Sequence, residues 1–509
     1  MGTVFSTLAT MAMMAIGFLL AQIAQAYIWD GKNEDGTIKA PWAPSPPHLP
    51  WYWNGYKEFQ TNTYRALTYW SQQLGSIYSI KMFQKRVIVL NHASVVRKAL
   101  VELDQWNSSR PLTTDAIETI MGDQGKTVFT AQFTAHWGRL RRAINKVLRD
   151  APVVLDVVGK DKKNKKNSTM QQFQNVLHQG KVDPTLLRTM TNRLAMEAVI
   201  HMVMGEQSKL DPEWIDTLIQ VCHDIEQLQS SRWYYQYGSL VPFVRTLGLL
   251  LGGQHRVVQL RNKALDILLQ MDPITNGNSV PTSLSNIEPS KNDPTPEPIP
   301  AEEIMINTLH LIMHGYCLLA TSFFTLLQRL AQQSPIIQQQ MATNPAWTTS
   351  FVAETLRYTP PLRLYTHTAK KDHTMEWQET SYRVDEGTYW LINLDKIHFD
   401  ASYYPNPYQF DPERFLMNNK DQVPSILDDE KRTQGGVKDH LAFGVGRRGC
   451  LGSRASQRWM VTLLTRIVQE YELRGGDPDT LVDHSTGIWS WTGRTETKGA
   501  TIEFIKKTN

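Results

Sequence analysis

Cysteine is scarce in this chain of 509 residues. Only Cys222, Cys317 and Cys450 are present, an odd and sparse set that excludes the paired framework of a small secreted domain. At least one of them must be a buried thiol or a ligand. Excess charge of one sign is also lacking. A formal net charge of +4 is too small at this length for wholesale nucleic-acid binding, which needs a concentrated basic face. No flavin or nucleotide motif and no internal repeat is found. What is plentiful is apolar and aromatic surface: 41% hydrophobic residues, with fifteen Trp, sixteen Phe and eighteen Tyr, enough for a large core. The length suits two or three ordinary domains, or one large helical domain that buries a cofactor pocket.

From Val4 to Ile28 no residue is charged, which is long enough to cross a bilayer core, and residues 1–29 are read as a membrane signal anchor. Ala24 and Ala26 form an AxA arrangement that keeps a cleaved signal peptide as the alternative, although the basic flank of such a peptide is missing. Residues 30–50 include Ala40-Pro41-Trp42-Ala43-Pro44-Ser45-Pro46-Pro47 and are read as a stiff hinge, with a globular unit over 51–509. Sequons at Asn107 and Asn167 offer a test, because an anchored chain keeps both in the cytosol, where no sugar is added.

Along the chain, Ile77 to Ile80 and Arg86 to Leu90 predict a hairpin, and Ala93 to Val101 a helix. Lys160 to Thr169 and Thr275 to Pro300 lack apolar periodicity and predict exposed loops. Ile304 to Leu327 carries no Lys, Arg, Asp or Glu, so it could pass for a second membrane span. Asn307, His310 and His314 favour a buried core helix instead, since polar groups are costly in lipid. The last third turns to short strands, including Tyr382-Arg383-Val384 and Tyr389 to Ile392, then a helix from Ser453 to Tyr471. The fold class is mainly α with small β-sheets.

The most informative segment is Phe443-Gly444-Val445-Gly446-Arg447-Arg448-Gly449-Cys450-Leu451-Gly452, which sets one Cys in a glycine-rich turn before an amphipathic helix. Gly446 and Gly452 let the backbone bend close under a flat ligand, and the following helix aims its amide dipoles at the sulfur, favouring a thiolate. An inert buried thiol is the plainer reading of one isolated Cys. The whole ten-residue pattern speaks against it, because it resembles the FxxGxRxCxG motif of the cytochrome P450 family at Phe443, Gly446, Arg448, Cys450 and Gly452.

Other segments resemble the same family in the same order along the chain. Glu354-Thr355-Leu356-Arg357 matches ExxR, whose i,i+3 spacing puts acid and base on one helical face. Pro412-Glu413-Arg414-Phe415 is similar to PERF, Trp137 to Arg141 to WxxxR, and Thr359-Pro360-Pro361-Leu362 leads to His367. The resemblance implies a cytochrome P450 fold after one N-terminal membrane helix, haem b as cofactor, and Cys450 as the proximal thiolate ligand shielded by Phe443. It implies propionate contacts from Trp137, Arg141, His367 and Arg448, with Arg363 competing for the role of His367. It also implies a buried structural triad of Glu354, Arg357 and Arg414.

The central helix departs from the family. Where an (A/G)Gx(D/E)T(T/S) run usually relays protons to dioxygen at the iron, this chain has His314-Gly315-Tyr316-Cys317-Leu318-Leu319, with Cys317 in the acid position and Leu318 in the alcohol position. Gly315 would leave room above the haem. Neither Cys317 nor Leu318 is a good proton donor at neutral pH, so substrate, ordered water or Thr321 one turn on must complete the relay. The alternatives are a haem-thiolate isomerase or dehydratase that needs no external electrons, or a haem-binding scaffold without catalysis. His314 on an apolar helix is more simply a satisfied core residue than a base or ligand.

Arg139, Arg142, Lys146 and Arg149 lie on the proposed helix that the family turns toward its reductase, although a solvated basic face explains them equally. The resemblance implies NADPH–cytochrome P450 reductase as partner, no nucleic acid, and a single-pass protein of the endoplasmic reticulum membrane with a cytosolic catalytic domain. Leu362 to Thr366, the residues around Gly315, and Ile488-Trp489-Ser490-Trp491 are the candidate pocket lining. Its two tryptophans suit a small hydrophobic or aromatic substrate. Ser109-Arg110-Pro111 and Gln124-Gly125 resemble the family's fungal branch of phenylacetate hydroxylases and secondary-metabolite oxidases. The expected reaction is monooxygenation, or oxidative coupling or cyclisation, in secondary metabolism.

Overall fold

The computed structural model describes residues 40–46, 63–82, 85–110, 125–151, 168–206, 210–231, 253–271, 278–287, 297–416, 440–483 and 495–507, with Gly17, Gly122 and Val153. The anchor reading, Asn167 and Ile488 to Trp491 lie outside these residues.

Helix starts follow a recurring local chemistry. Thr134 caps α4 (Ala135–Arg149) by accepting from Trp137 N, and Asp183 followed by Pro184 opens α6 (Pro184–Met204). Asn344 followed by Pro345 opens α12 (Pro345–Tyr358). A capping oxygen takes an orphan N–H and the proline has no N–H to lose. Between and around these run α1 (Thr63–Leu74), α2 (Ala93–Arg97), α3 (Asp104–Asn107), α5 (Thr169–Leu177), α7 (Pro212–Ser231) and α8 (Gly253–Gln270). Further on come α9 (Val280–Ser285), α10 (Ala301–Leu330), α11 (Pro335–Thr343), α13 (Leu394–Ile397) and α14 (Ser453–Glu470).

Helix α10 is the axis of the core. It packs along α6 and also touches α8, α9, α12 and α14, and 72% of its most apolar 18-residue window is buried. It is a core helix. Helix α2 passes into a π-turn at Lys98–Glu102, so the expected helix over 93–101 is not uniformly α. Within Thr275 to Pro300 the expectation of an open loop is corrected: Ser279 caps α9, and Val280, Pro281 and Leu284 are buried because valine and leucine four residues apart share one face.

The hairpin β1 (Ile77–Met82) and β2 (Lys85–Leu90) belongs to a four-stranded sheet that β7 (Tyr389–Asn393) joins in parallel and β4 (Leu364–Thr368) closes, in the order β1-β2-β7-β4. β5 (His373–Trp377) and β6 (Thr380–Val384) form a hairpin. β3 (Lys181–Val182), β11 (Ile502–Lys506) and β8 (Tyr471–Gly475) make a second sheet, and β9 (Leu481–Asp483) pairs with β10 (Thr495–Thr497). Tyr471 therefore begins a strand and does not end the preceding helix.

Residues 40–46 do not stand off as a tether. Pro44 O accepts from Ser79 N at 2.7 Å, Pro41 O accepts from Arg383 N at 2.9 Å, and Trp42 lies between the guanidinium groups of Arg86 and Arg383, 3.7 and 4.7 Å from its ring centroid. Cation–π attraction fastens the proline-rich stretch to the sheet.

Candidate functional site

The ExxR pair forms on α12 as its spacing requires. Arg357 Nε and Nη2 donate to Glu354 at 2.7 and 2.8 Å, and both side chains are wholly buried. Arg414 Nε donates to both Glu354 oxygens at 3.1 Å, while the remaining guanidinium nitrogens of both arginines take main-chain carbonyls such as His398 O and Pro405 O. A fork meeting a carboxylate, with its other nitrogens on main-chain carbonyls, is the arrangement in which a buried ion pair is tolerable.

Two histidines that sequence reasoning missed fasten this helix to the cysteine loop. His398 Nδ1 donates to Arg357 O at 3.0 Å and its Nε2 accepts from Leu441 N at 3.2 Å, while His440 Nε2 donates to Ala353 O at 2.8 Å. Burial first, then the charges of His440 and Arg357, holds His398 well below the usual imidazole range, so it is neutral. No local pattern marks these residues, because their partners lie far along the chain.

The loop then turns tightly. Cys450 N donates to Phe443 O at 2.7 Å, and Gly446 at φ +68° approaches so closely that a Cβ there would sit 2.3 Å from Leu100 O in the π-turn. Cys450 is accessible whereas Cys222 is buried, and Gly452 leads into α14 with no side chain capping its amides. That leaves the amide end of a helix beside the sulfur, which favours a thiolate.

Beside the sulfur is a cluster of positive charge. Arg448 donates from Nε to Ser108 O at 2.7 Å, from Nη1 to Val128 O at 3.1 Å, and from Nη2 to Ala131 O. Its guanidinium stacks 4.3 Å from the centroid of Trp137. Trp137 Nε1 donates to Val128 O at 3.1 Å, Arg141 Nη2 donates to Gly449 O at 2.7 Å, and Arg110 donates to Thr366 O. Burial, then the like charges of Arg110 and Arg141, pushes Arg448 down from the usual guanidinium range. His367 on β4 is buried with no partner on Nδ1 among the described residues, and burial followed by Arg110 and Arg448 holds it well below its usual range. Arg363 is bound to Asp395. A buried imidazole nitrogen left over beside crowded guanidinium groups fits an anionic group with carboxylate arms, as haem b provides.

Helix α10 is accessible or half-buried at Met313, His314, Gly315, Cys317 and Leu318, although it is buried over most of its length. His314 packs 4.8 Å from the ring of Phe129, next to the Val128 carbonyl that Arg448 and Trp137 hold, so this window and the cysteine loop share one connection. Val128 N in turn donates to Asn307 on α10 at 2.9 Å. A Cβ on Gly315 would meet Val199 of α6 at 3.0 Å, because this glycine admits a neighbouring helix. Thr321 is buried beyond the window. Cys317 Sγ donates to Glu226 Oε1 of α7 at 3.2 Å, a contact no sequence spacing revealed.

Asn107 is wholly buried, donating to Ala99 O and accepting from Trp390, so its sequon cannot report topology.

The family model described as Cytochrome P450 matches residues 43–490. The chain is similar to human cytochrome P450 2F1, 22% identical over 80% of this chain and 83% of that protein. It is similar to pea cytochrome P450 82A1, 22% identical over 94% and 93%. Its fold is similar to a solved zebrafish cytochrome P450 with abiraterone, at a TM-score of 0.64 and 15% identity over 87% of this chain and 100% of that one. A family match running from the docked proline-rich segment through the cysteine loop makes the chain a member of the cytochrome P450 family, a haem b oxidoreductase.

Proposed function

We propose that Cys450 is the proximal thiolate of a monooxygenase or oxidase acting on a small hydrophobic or aromatic molecule in secondary metabolism. Arg110, Arg141, Arg448 and His367 would hold the haem propionates, with Trp137 supporting Arg448. When bound, haem supplies the redox iron that accepts electrons and activates dioxygen. The chain's own residues do the rest: Phe443 packs beside the loop, the start of α14 stabilises the thiolate, and the α10 window lines the substrate side. The observation that carries the reading is the accessible Cys450 at an uncapped helix start beside a buried guanidinium cluster.

Electrons would come from NADPH–cytochrome P450 reductase through the basic face of α4, which carries Arg139, Arg142, Lys146 and Arg149. The protein would sit on the endoplasmic reticulum membrane by residues 1–29 with its catalytic unit in the cytosol. The test is the reduced carbonyl spectrum of purified protein, expected to be of the sulfur type and to become imidazole-type or vanish in Cys450→His. Mass analysis of products from reductase and candidate aromatic substrates then identifies the reaction.

The missing acid and alcohol on α10 favour a second reading, an isomerase or dehydratase of an already oxygenated substrate. Turnover without reductase or dioxygen would decide for it. Leu318→Thr separates the two, because an added alcohol raises product formed per NADPH only where proton supply limits an oxygen-dependent reaction.

A further inference from the structure

The accessible stretch of α10 contains no carboxylate, and its one hydroxyl, on Tyr316, is buried. Monooxygenation nevertheless consumes two protons for each dioxygen that it reduces, so the pocket needs a group that can lose and regain a proton repeatedly. A carboxylate does reach this stretch, from a different helix. Glu226 on α7 accepts from Cys317 Sγ at 3.2 Å across 91 residues of sequence, and both side chains are half-buried.

We propose that Glu226, oriented by Cys317, supplies protons to the substrate pocket from α7 in place of an acid on α10. The proposal rests on the reading of the pocket given above. Neutral Glu226 gives its carboxyl proton to a pocket water: one O–H bond breaks on the carboxyl and one forms on the water. The carboxylate left behind accepts the Cys317 S–H and is protonated again from solvent at its accessible edge. A thiol suits the orienting role because it is a weak donor and loses its proton far less readily than a carboxyl, so it holds Glu226 without competing for the proton. Glu226 is the proton-supplying group and Cys317 a positioning residue.

Two measurements on the full-length holoenzyme test this. The first is the infrared S–H stretch of Cys317, identified by its loss in Cys317→Ala. It should lie at lower frequency in the native protein, track carboxyl ionisation with pH, and move up in Glu226→Gln. The second uses reductase, NADPH and dioxygen as the probe and reads the fraction of electrons released as hydrogen peroxide. Glu226→Gln should slow proton-dependent turnover about 100-fold, the scale of a lost general acid, and raise the peroxide fraction. Glu226→Asp should restore part of the difference. Glu213→Gln, at the exposed start of the same helix, should change neither readout.

If Glu226→Gln does not fold, Cys317→Ser keeps the test open. A stronger donor lowers the carboxyl pKa and should shift the pH profile of the peroxide fraction to lower pH. A native protein without a sulfur-type carbonyl spectrum overturns the pocket reading and this proposal with it. A normal spectrum with an unmoved S–H band, or with an unchanged peroxide fraction, overturns the assignment of Glu226 alone.

Discussion

The surroundings of the cysteine loop and the accessible window of α10 are built by different physics. On the cysteine side, Glu354, Arg357, His398, His440 and Arg448 are all buried, and each is held by more than one hydrogen bond or by a bond to a distant segment. On the α10 side the accessible window is set by helix packing, and it makes a cross-helix hydrogen bond from Cys317 to Glu226. A wall of buried polar groups tolerates few substitutions, because each lost partner strands another group away from water. A wall defined by shape can change its chemistry freely.

The largest effect should follow from breaking the polar wall at its centre. Glu354→Ala leaves Arg357 and Arg414 buried without their acid, a loss of about 3–5 kcal/mol for one partner of a buried pair. Purified protein should unfold at much lower denaturant and bind little haem. Glu354→Gln, which keeps the shape, should recover only a minor part.

Next comes the close approach of the two backbones. Gly446→Ala has to place a Cβ 2.3 Å from Leu100 O at φ +68°, and must distort either the cysteine loop or the π-turn. A cost of about 1–3 kcal/mol is the scale for backbone strain of this kind. Thermal unfolding should register it, and the sulfur-type carbonyl spectrum should weaken more than stability alone accounts for, because the displaced residues include Cys450.

A third test uses pH. His398 is neutral in the fold, so as pH falls through the ordinary imidazole range, near 6.5, the unfolded chain takes up a proton that the folded chain refuses. Stability contributed by neutral His398 is therefore complete above that range and lost below it, at up to about 1.4 kcal/mol per pH unit. Denaturant unfolding at pH 7 and pH 5 should show the drop. His398→Gln should be less stable at pH 7, yet its stability should fall less between the two.

Much of the polar wall was legible because its geometry is local. The i,i+3 spacing of Glu354 and Arg357, and the glycines around Cys450, are short-range requirements that a sequence displays directly. The hairpin and the core helix were legible from periodicity and missing charge. Single residues whose partners lie far away were not. His398, His440 and Glu226 carry no local signature, Arg110 resembled part of a loop motif, and Trp42 sat in what reads as a plain proline-rich stretch. Gly315 is ambiguous for a related reason: a helical glycine shows that something comes close, and not from which side.

That ambiguity yields the smallest effect and the sharpest contrast with Gly446. Gly315 has no positive φ, and an added methyl meets the Val199 side chain, at 3.0 Å from its nearest methyl, and no backbone. Alanine gains about 0.5–1 kcal/mol over glycine within a helix, which offsets a shift of a few tenths of an ångström by Val199. Gly315→Ala should therefore change stability by less than about 1 kcal/mol. Adding Val199→Ala should relieve the contact, so the pair should be non-additive by a few tenths of a kcal/mol, as expected of touching side chains. If Gly315→Ala instead cost as much as Gly446→Ala, the α10 wall would be as rigidly specified as the cysteine wall, and its freedom to change chemistry would need another cause.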